Sequence, residues 1–223
     1  MTYEIVLKDR LPVTHDTNKF TFNKPEGLEF EPGQAAELSL NIEGFKDEGR
    51  PFTFTSQPDD HDLEFVIKSY PDHNGVTEQM ANLTAGTTAQ LDGPFGAITD
   101  HGPGVFLAAG AGITPFIPIL RKHDREGTMD GCTLIFSNKT EEDIIMRGEW
   151  ESMQNLETIF TVTDSEAEGL RHGQVDKEFL KDHVKDFDQT FYICGPGGFV
   201  DDVRAALKDL GAKADNIVTE EGW

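Results

Sequence analysis

The segment Ala109-Gly110-Ala111-Gly112-Ile113-Thr114-Pro115 has the residue types of an anion site. It follows an apolar run, Val105–Ala108, and precedes an apolar-periodic stretch, Phe116–Leu120. That is the order strand, glycine turn, helix. Thr114 is expected as the helix N-cap and Pro115 as the first helical residue, where a missing N–H costs little. Gly110 and Gly112 let a ligand approach the backbone, and the helix start offers free N–H groups to a phosphate. The chemistry is that of a dinucleotide-phosphate site. The third glycine of the usual GxGxxG pattern is missing, and a tight turn with no ligand would read the same from these residues alone.

Other segments bear on the choice. Upstream stand Arg50-Pro51-Phe52-Thr53-Phe54-Thr55-Ser56, then Gly75-Val76-Thr77 and Gly93-Pro94-Phe95-Gly96. Downstream lie Tyr192-Ile193-Cys194-Gly195-Pro196 and, at the end, Glu220-Glu221-Gly222-Trp223. In this order and spacing the set resembles the ferredoxin–NADP reductase superfamily over nearly the whole chain. Arg-x-aromatic-Ser/Thr and Cys-Gly-Pro are the specific elements; the glycine pairs support them.

The resemblance implies roles for single residues. Arg50 would grip a flavin phosphate with its planar fork. Phe52 would lie against the isoalloxazine ring and Thr53 would hydrogen-bond near its reactive N5. Phe52 stands where Tyr is commoner, so one hydroxyl contact would be missing. Lys68 closes a strand before Gly75, Val76 and Thr77, a segment the family uses for the flavin diphosphate. Gly93–Gly96 is expected as a turn ending the flavin half. The barrel motif needs only one phosphate, whereas Gly75–Thr77 argues for two, hence FAD over FMN.

In the second half, Gly110, Gly112 and Thr114 would cradle the diphosphate of NADPH or NADH. Ser137 and Lys139 would reach the adenine ribose, and Lys139 can pair with a 2′-phosphate, which leans toward NADPH. Glu141, Glu142 and Asp143 follow directly and oppose it. Cys194, with Gly195 and Pro196, would sit near the reacting nicotinamide carbon. Trp223 resembles the terminal aromatic that covers the flavin, and Glu221 a carboxylate that assists proton delivery. Without the resemblance, Phe52 and Phe54 read as barrel core, Arg50 as a solvated strand end, Cys194 as a packing residue and the terminus as an acidic tail.

These residues need elements to hold them. The first hundred residues read as short alternating strands: Tyr3–Leu7, Phe20–Phe22, Ala36–Leu40, Phe52–Phe54 and Leu63–Ile67. Turns at Pro32-Gly33, Pro58–Asp60 and Pro71-Asp72 separate several of them, which points to an antiparallel barrel or sandwich. A short helix is expected over Thr77–Leu83. After His101-Gly102-Pro103-Gly104 the pattern changes. Strands Val105–Ala108, Thr133–Phe136, Thr158–Val162 and Phe191–Cys194 alternate with helices Pro115–His123, Gly148–Met153, Asp176–Val184 and Val200–Leu210, and Ile217–Thr219 makes a last strand. This is a parallel α/β sheet. The expected organisation is an antiparallel β-barrel over 1–101, holding FAD, followed by an α/β domain over 102–223, holding NAD(P)H.

Composition limits the partners. The 223 residues carry a net charge of −22, split evenly as −11 in each half. Charge of this sign opposes nucleic-acid backbones and anionic membranes. A saline habitat or an ordinary acidic cytoplasmic protein would both produce it. No apolar stretch approaches a membrane span, and Met1–Val6 lack the basic-then-apolar order of a secretory signal. Cys132 and Cys194 suggest no disulfide framework, so a cytoplasmic location is expected. Two cysteines cannot bind a four-thiolate iron–sulfur cluster. The seven histidines show no ligand spacing, and no metal is expected.

The resemblance thus implies an enzyme passing hydride from NAD(P)H to FAD and electrons on to ferredoxin or flavodoxin. Those acceptors are usually acidic, which sets them against a chain at −22. The rivals are an NAD(P)H:flavin or quinone reductase with a small acceptor, and the reductase component of an oxygenase. The non-enzymatic rival is a flavin-free regulatory module with the same fold.

Overall fold

The computed structural model describes residues 1–70, 75–96, 98–164 and 169–220. Six strands form the first sheet: β1 (Thr2–Pro12), β2 (Thr17–Asn23), β3 (Ala35–Leu40), β4 (Arg50–Thr53), β5 (Asp62–Lys68) and β6 (Thr88–Phe95). Their order is β4-β3-β6-β1-β2-β5, with every pairing antiparallel. Past β4, Thr55 N donates to Glu64 O of β5 at 2.8 Å, and the sheet curls into a nearly closed barrel. Period-two alternation sends Phe20 and Phe22, Leu38 and Leu40, and Leu63 and Phe65 into one core. Phe54 joins it, stacked on Phe30 at 4.2 Å, so it is core as its apolar character suggests. A short helix, α1 (Val76–Met80), buries Val76 and Met80 in the same core.

Gly93–Phe95 differs from expectation. It lies inside β6 and is not a turn: Ala35 pairs with Phe95, and the register shifts before Glu37 pairs with Asp92. The irregular register lets a glycine-proline pair sit in a strand, as a bulge does.

The second half is a six-stranded parallel sheet, in the order β10-β9-β8-β7-β11-β12. Its strands are β7 (Gly104–Ala109), β8 (Thr133–Asn138), β9 (Glu157–Val162), β10 (Arg171–His172), β11 (Thr190–Cys194) and β12 (Ile217–Thr219). The helices are α2 (Phe116–Glu126), α3 (Arg147–Ser152), α4 (Lys177–His183) and α5 (Gly197–Asp209). Strand residues alternate between the two faces. Phe106, Ala108, Leu134, Phe136 and Tyr192 pack with α2 on one side. Val105, Leu107, Ile135, Phe191 and Ile193 pack with α4 and α5 on the other. Asp176 caps α4 by accepting from Phe179 N at 2.8 Å. The two-residue strand β10 is too short to leave a periodic signal in the sequence.

From β7 the sheet grows toward β8 and β9 on one side and toward β11 and β12 on the other. The strand order therefore reverses at β7, and a crevice opens beyond the C-terminal ends of β7 and β11.

Candidate functional site: a cleft between barrel and sheet

One cleft of about 1750 Å³ runs from the barrel to that crevice. This exceeds the ~300–1,000 Å³ of a single small-molecule pocket. Pro51, Phe52 and Thr53 of β4 line its barrel side, with Lys68 and Ser69 at the end of β5 and Thr77 of α1. Phe52 is half-buried and Thr53 buried. Gly75 is the extended N-cap residue of α1 and Val76 its buried first residue. Arg50 stands apart: it is exposed, and its Nη1 donates to the neighbouring Gly49 carbonyl at 2.9 Å.

On the opposite wall, β7 runs into a 3-10 turn, Gly110–Ile113. Gly110 takes φ +53°, where a side chain is disfavoured. At Gly112 a Cβ would come within 2.3 Å of the Cys194 carbonyl oxygen, so only glycine lets this turn lie against the end of β11. Thr114 lines the cleft but is not the N-cap. The chain becomes helical at Gly110, Thr114 is already αR, and its Oγ1 donates back to Ala111 O at 3.0 Å. Pro115 takes the cap position and Phe116 the first helical one. The glycine turn moved the helical entry upstream of the threonine that sequence preference selects.

Cys194, Gly195 and Pro196 face that turn across the crevice. Burial pushes the Cys194 thiol well up, and the nearby Glu220 carboxylate adds to this, so the sulfur stays a neutral thiol. Glu220 lines the cleft, and burial raises its own carboxyl above the ordinary range. Ser137 and Asn138 end β8 on the cleft wall, with the exposed Lys139 next to them. Asp164 N donates to Lys139 O at 2.9 Å, and Glu142 and Asp164 share this stretch of wall.

At the barrel rim, Lys68 Nζ lies 2.8 Å from Asp16 and 3.5 Å from Asp143, which belongs to the second half. Burial works against both charges, but the pairing outweighs it: the ammonium is raised and the Asp16 carboxyl lowered. His15, Asp16 and Asp143 bring three potential metal-ligand atoms within 4.8 Å of one another. The Lys68 ammonium already answers the charge of both carboxylates there. Glu221 and Trp223 lie outside the described residues.

Comparison with known proteins matches residues 4–99 to an oxidoreductase FAD-binding domain and residues 106–205 to an oxidoreductase NAD-binding domain. The chain belongs to the ferredoxin–NADP reductase superfamily. It is 30% identical over 229 residues to NADH-cytochrome b5 reductase 1 of Aspergillus terreus, covering 92% of this chain and 77% of that protein. It is 26% identical over 219 residues to the ferredoxin–NAD(P)+ reductase component of the naphthalene 1,2-dioxygenase system of Pseudomonas putida, covering 93% and 65%. A ferredoxin NADP+ reductase from Neisseria gonorrhoeae with bound FAD and NADP shares the fold, with TM-score 0.87 at 24% identity over 100% of this chain and 99% of that one.

This reductase-superfamily chain is therefore an NAD(P)H-dependent FAD oxidoreductase. Its cleft fits such ligands on its own observations. Asn138 is 5% exposed, and neither atom of its carboxamide has a hydrogen-bond partner among the described residues; the buried Ser69 hydroxyl lacks one too. Both residues line the cleft. Buried polar groups without partners cost about 1–3 kcal/mol each, so native proteins seldom leave them so. Sequence reading missed Asn138, Ser69 and Glu220. A neighbouring motif was the only signal for each: Ser137 and Lys139, Lys68, and Glu221. Among the described residues no helix is long and apolar enough to cross a membrane.

Proposed function

We propose that this chain carries hydride from NADH to bound FAD and passes electrons on to a protein acceptor, ferredoxin or flavodoxin among the candidates. Residues 1–101 would be the FAD-binding domain and 102–223 the NAD(P)-binding domain. One observation carries the reading. The glycine turn at Gly110–Ile113 and the Cys194–Pro196 end of β11 meet at the switch point of the sheet, in the same cleft as Phe52 and Thr53.

FAD, when bound, supplies a ring that takes up a hydride and releases electrons one or two at a time. The chain's residues bind and orient. Phe52 packs against the flavin and Thr53 hydrogen-bonds to it. Arg50, Lys68, Gly75, Val76 and Thr77 serve its phosphates, with Arg50 turning inward from its exposed position. Gly110, Gly112 and Thr114 hold the nucleotide diphosphate, and Ser137 and Lys139 the ribose. Cys194, Gly195 and Pro196 border the nicotinamide; a small neutral thiol leaves room for two flat rings. By the family resemblance, Trp223 would cover the flavin and Glu221 would deliver a proton. Glu220 shares that proton role, because burial beside Cys194 favours its protonated form.

NADH is favoured over NADPH on charge. A 2′-phosphate adds about two negative charges. Lys139 would receive it beside Glu142 and Asp164, and Lys177, the next cation on the wall, is paired with Asp209 at 3.0 Å. Cytoplasm is the proposed location.

The acceptor is tested by steady-state NADH oxidation with ferredoxin, flavodoxin, cytochrome b5, a quinone and free flavin. The reading expects a protein acceptor to give the highest kcat/KM, with rates rising with salt if that protein is acidic. Turnover with quinone or free flavin alone would assign the chain to the small-acceptor reductases.

A further inference from the structure

The outward face of β5 is the seam between the two halves. Glu64, Val66 and Lys68 share that face, two residues apart, and each engages the second half. Glu64 pairs with Arg121, Val66 packs into the core beside α2, and Lys68 pairs with Asp143. The chain leaving β4 adds a parallel line of contacts along α2. Gln57 Nε2 donates to Pro118 O at 2.8 Å, Arg121 Nη1 to Thr55 O at 2.8 Å, and Arg125 to Asp59 and Asp60 at 3.3 and 3.0 Å.

Arg121 is the central ion pair of this seam, bonded to both halves at once. Glu149 of α3 grips its guanidinium from the second half, with Nε to Oε1 at 2.6 Å and Nη2 to Oε2 at 3.0 Å. That leaves Nη1 aimed across the seam at Thr55 O and at Glu64 Oε1, 2.7 Å away. Glu64 is fixed in turn by the Thr55 hydroxyl at 3.0 Å and by Lys19 at 3.2 Å. The side chains of Arg121 and Glu64 are only 19% and 17% exposed. Only a planar fork of five donors can satisfy two carboxylates and a carbonyl in fixed directions; an ammonium cannot.

The two ends of this link are what make it more than a bridge. Thr55 lies two residues beyond Thr53, on the barrel wall of the cleft. Arg121 lies on α2, the helix that continues directly from the Gly110–Ile113 turn on the facing wall. We infer that Arg121 is a positioning residue: through Glu149, Glu64 and the Thr55 carbonyl it fixes the separation of the flavin wall from the nucleotide wall, and so the approach of the nicotinamide to the flavin. The inference rests on the proposed function. A displacement of about 1 Å in such an approach can cost on the order of a hundredfold in rate.

The test compares wild-type holoprotein with Arg121→Lys, Arg121→Met and Glu149→Gln. Anaerobic stopped-flow gives the limiting rate of flavin reduction and the NADH dissociation constant. Long-wavelength charge-transfer absorbance, on adding NAD+ to reduced protein, reports ring approach. Amide exchange across 55–60 in flavin-stripped protein reports the seam itself. Arg121→Lys is expected to slow reduction by about tenfold to a hundredfold. It should leave the dissociation constant within about twofold, weaken the charge-transfer absorbance, and speed exchange at 55–60 but not in the barrel core. Glu149→Gln should do the same more mildly, so a Met variant that fails to fold does not remove the test. A lowered melting temperature with wild-type reduction rate and wild-type absorbance would overturn the inference and leave Arg121 a stabilising bridge. If wild-type holoprotein is reduced by neither nucleotide, the proposed function itself fails and the inference falls with it.

Discussion

Gly112 and the Cys194 carbonyl meet so closely that a Cβ on the glycine would lie 2.3 Å from that oxygen and 2.6 Å from Gly195 N. Two segments more than eighty residues apart thus form one surface at the switch point of the sheet. Gly112→Ala should push them apart. The expected cost is about 1–3 kcal/mol, as for other overpacking changes. Nucleotide affinity should fall as well, because the displaced turn belongs to the proposed diphosphate site. Thermal unfolding and NADH titration check the two effects separately. Wild-type values in both would mean that the turn yields without consequence.

Glu220 gives a pH dependence of defined sign. Burial raises its carboxyl in the folded chain, so the folded state binds the proton more tightly than the unfolded one. Its stabilising contribution is complete below the ordinary carboxyl value of 4.5 and is lost as pH rises through the raised value. Glu220→Gln cannot ionise. The variant should match the wild type near pH 4 and be the more stable of the two near pH 8. Melting temperatures across that range decide it; a constant difference would show that Glu220 ionises in the folded protein as it does in water.

Lys68 predicts the opposite slope. It holds the Asp16 carboxyl below its usual 3.8 and spans the seam to Asp143. A lowered carboxyl contributes stability above its unfolded value and loses it as pH falls through the folded one. Lys68→Met should therefore cost about 1.5–3 kcal/mol at pH 7, as for a charge-assisted hydrogen bond. The cost should shrink as pH falls below 3.8. A pH-independent difference in unfolding free energy would contradict the pairing.

Asp164→Asn removes one carboxylate beside Lys139. Unit charges about 4 Å apart in water interact by about 1 kcal/mol. The ratio of kcat/KM for NADH over NADPH should accordingly fall by about fivefold, read from initial rates with each nucleotide. An unchanged ratio would detach Asp164 from coenzyme choice.

Much of the fold was legible because its signals are local. Alternation located five of the six barrel strands but not β6 (Thr88–Phe95), and apolar runs alternating with helical stretches located the parallel sheet. The site was legible only as motifs. Thr114 shows the limit: its type suits an N-cap, but the glycines before it carried the chain into helical geometry first. Gly93–Phe95 reads as a turn, yet pairing with β3 holds it in a strand. Asn138, Ser69 and Glu220 carry no motif of their own; their burial at the cleft comes from strands brought together across the whole chain. The Arg121 seam is equally invisible in sequence, since Thr55, Glu64, Arg121 and Glu149 have no common spacing and meet only when the halves dock.

The central claim is that one cleft brings a nicotinamide nucleotide to a bound flavin. The most direct measurement is the visible spectrum of the purified chain during anaerobic titration with NADH. The expected result is an oxidised flavin spectrum at about one flavin per chain, bleached by one equivalent of NADH. A protein that binds FAD but keeps its oxidised spectrum in excess NADH and NADPH, or that takes up no flavin, would contradict it.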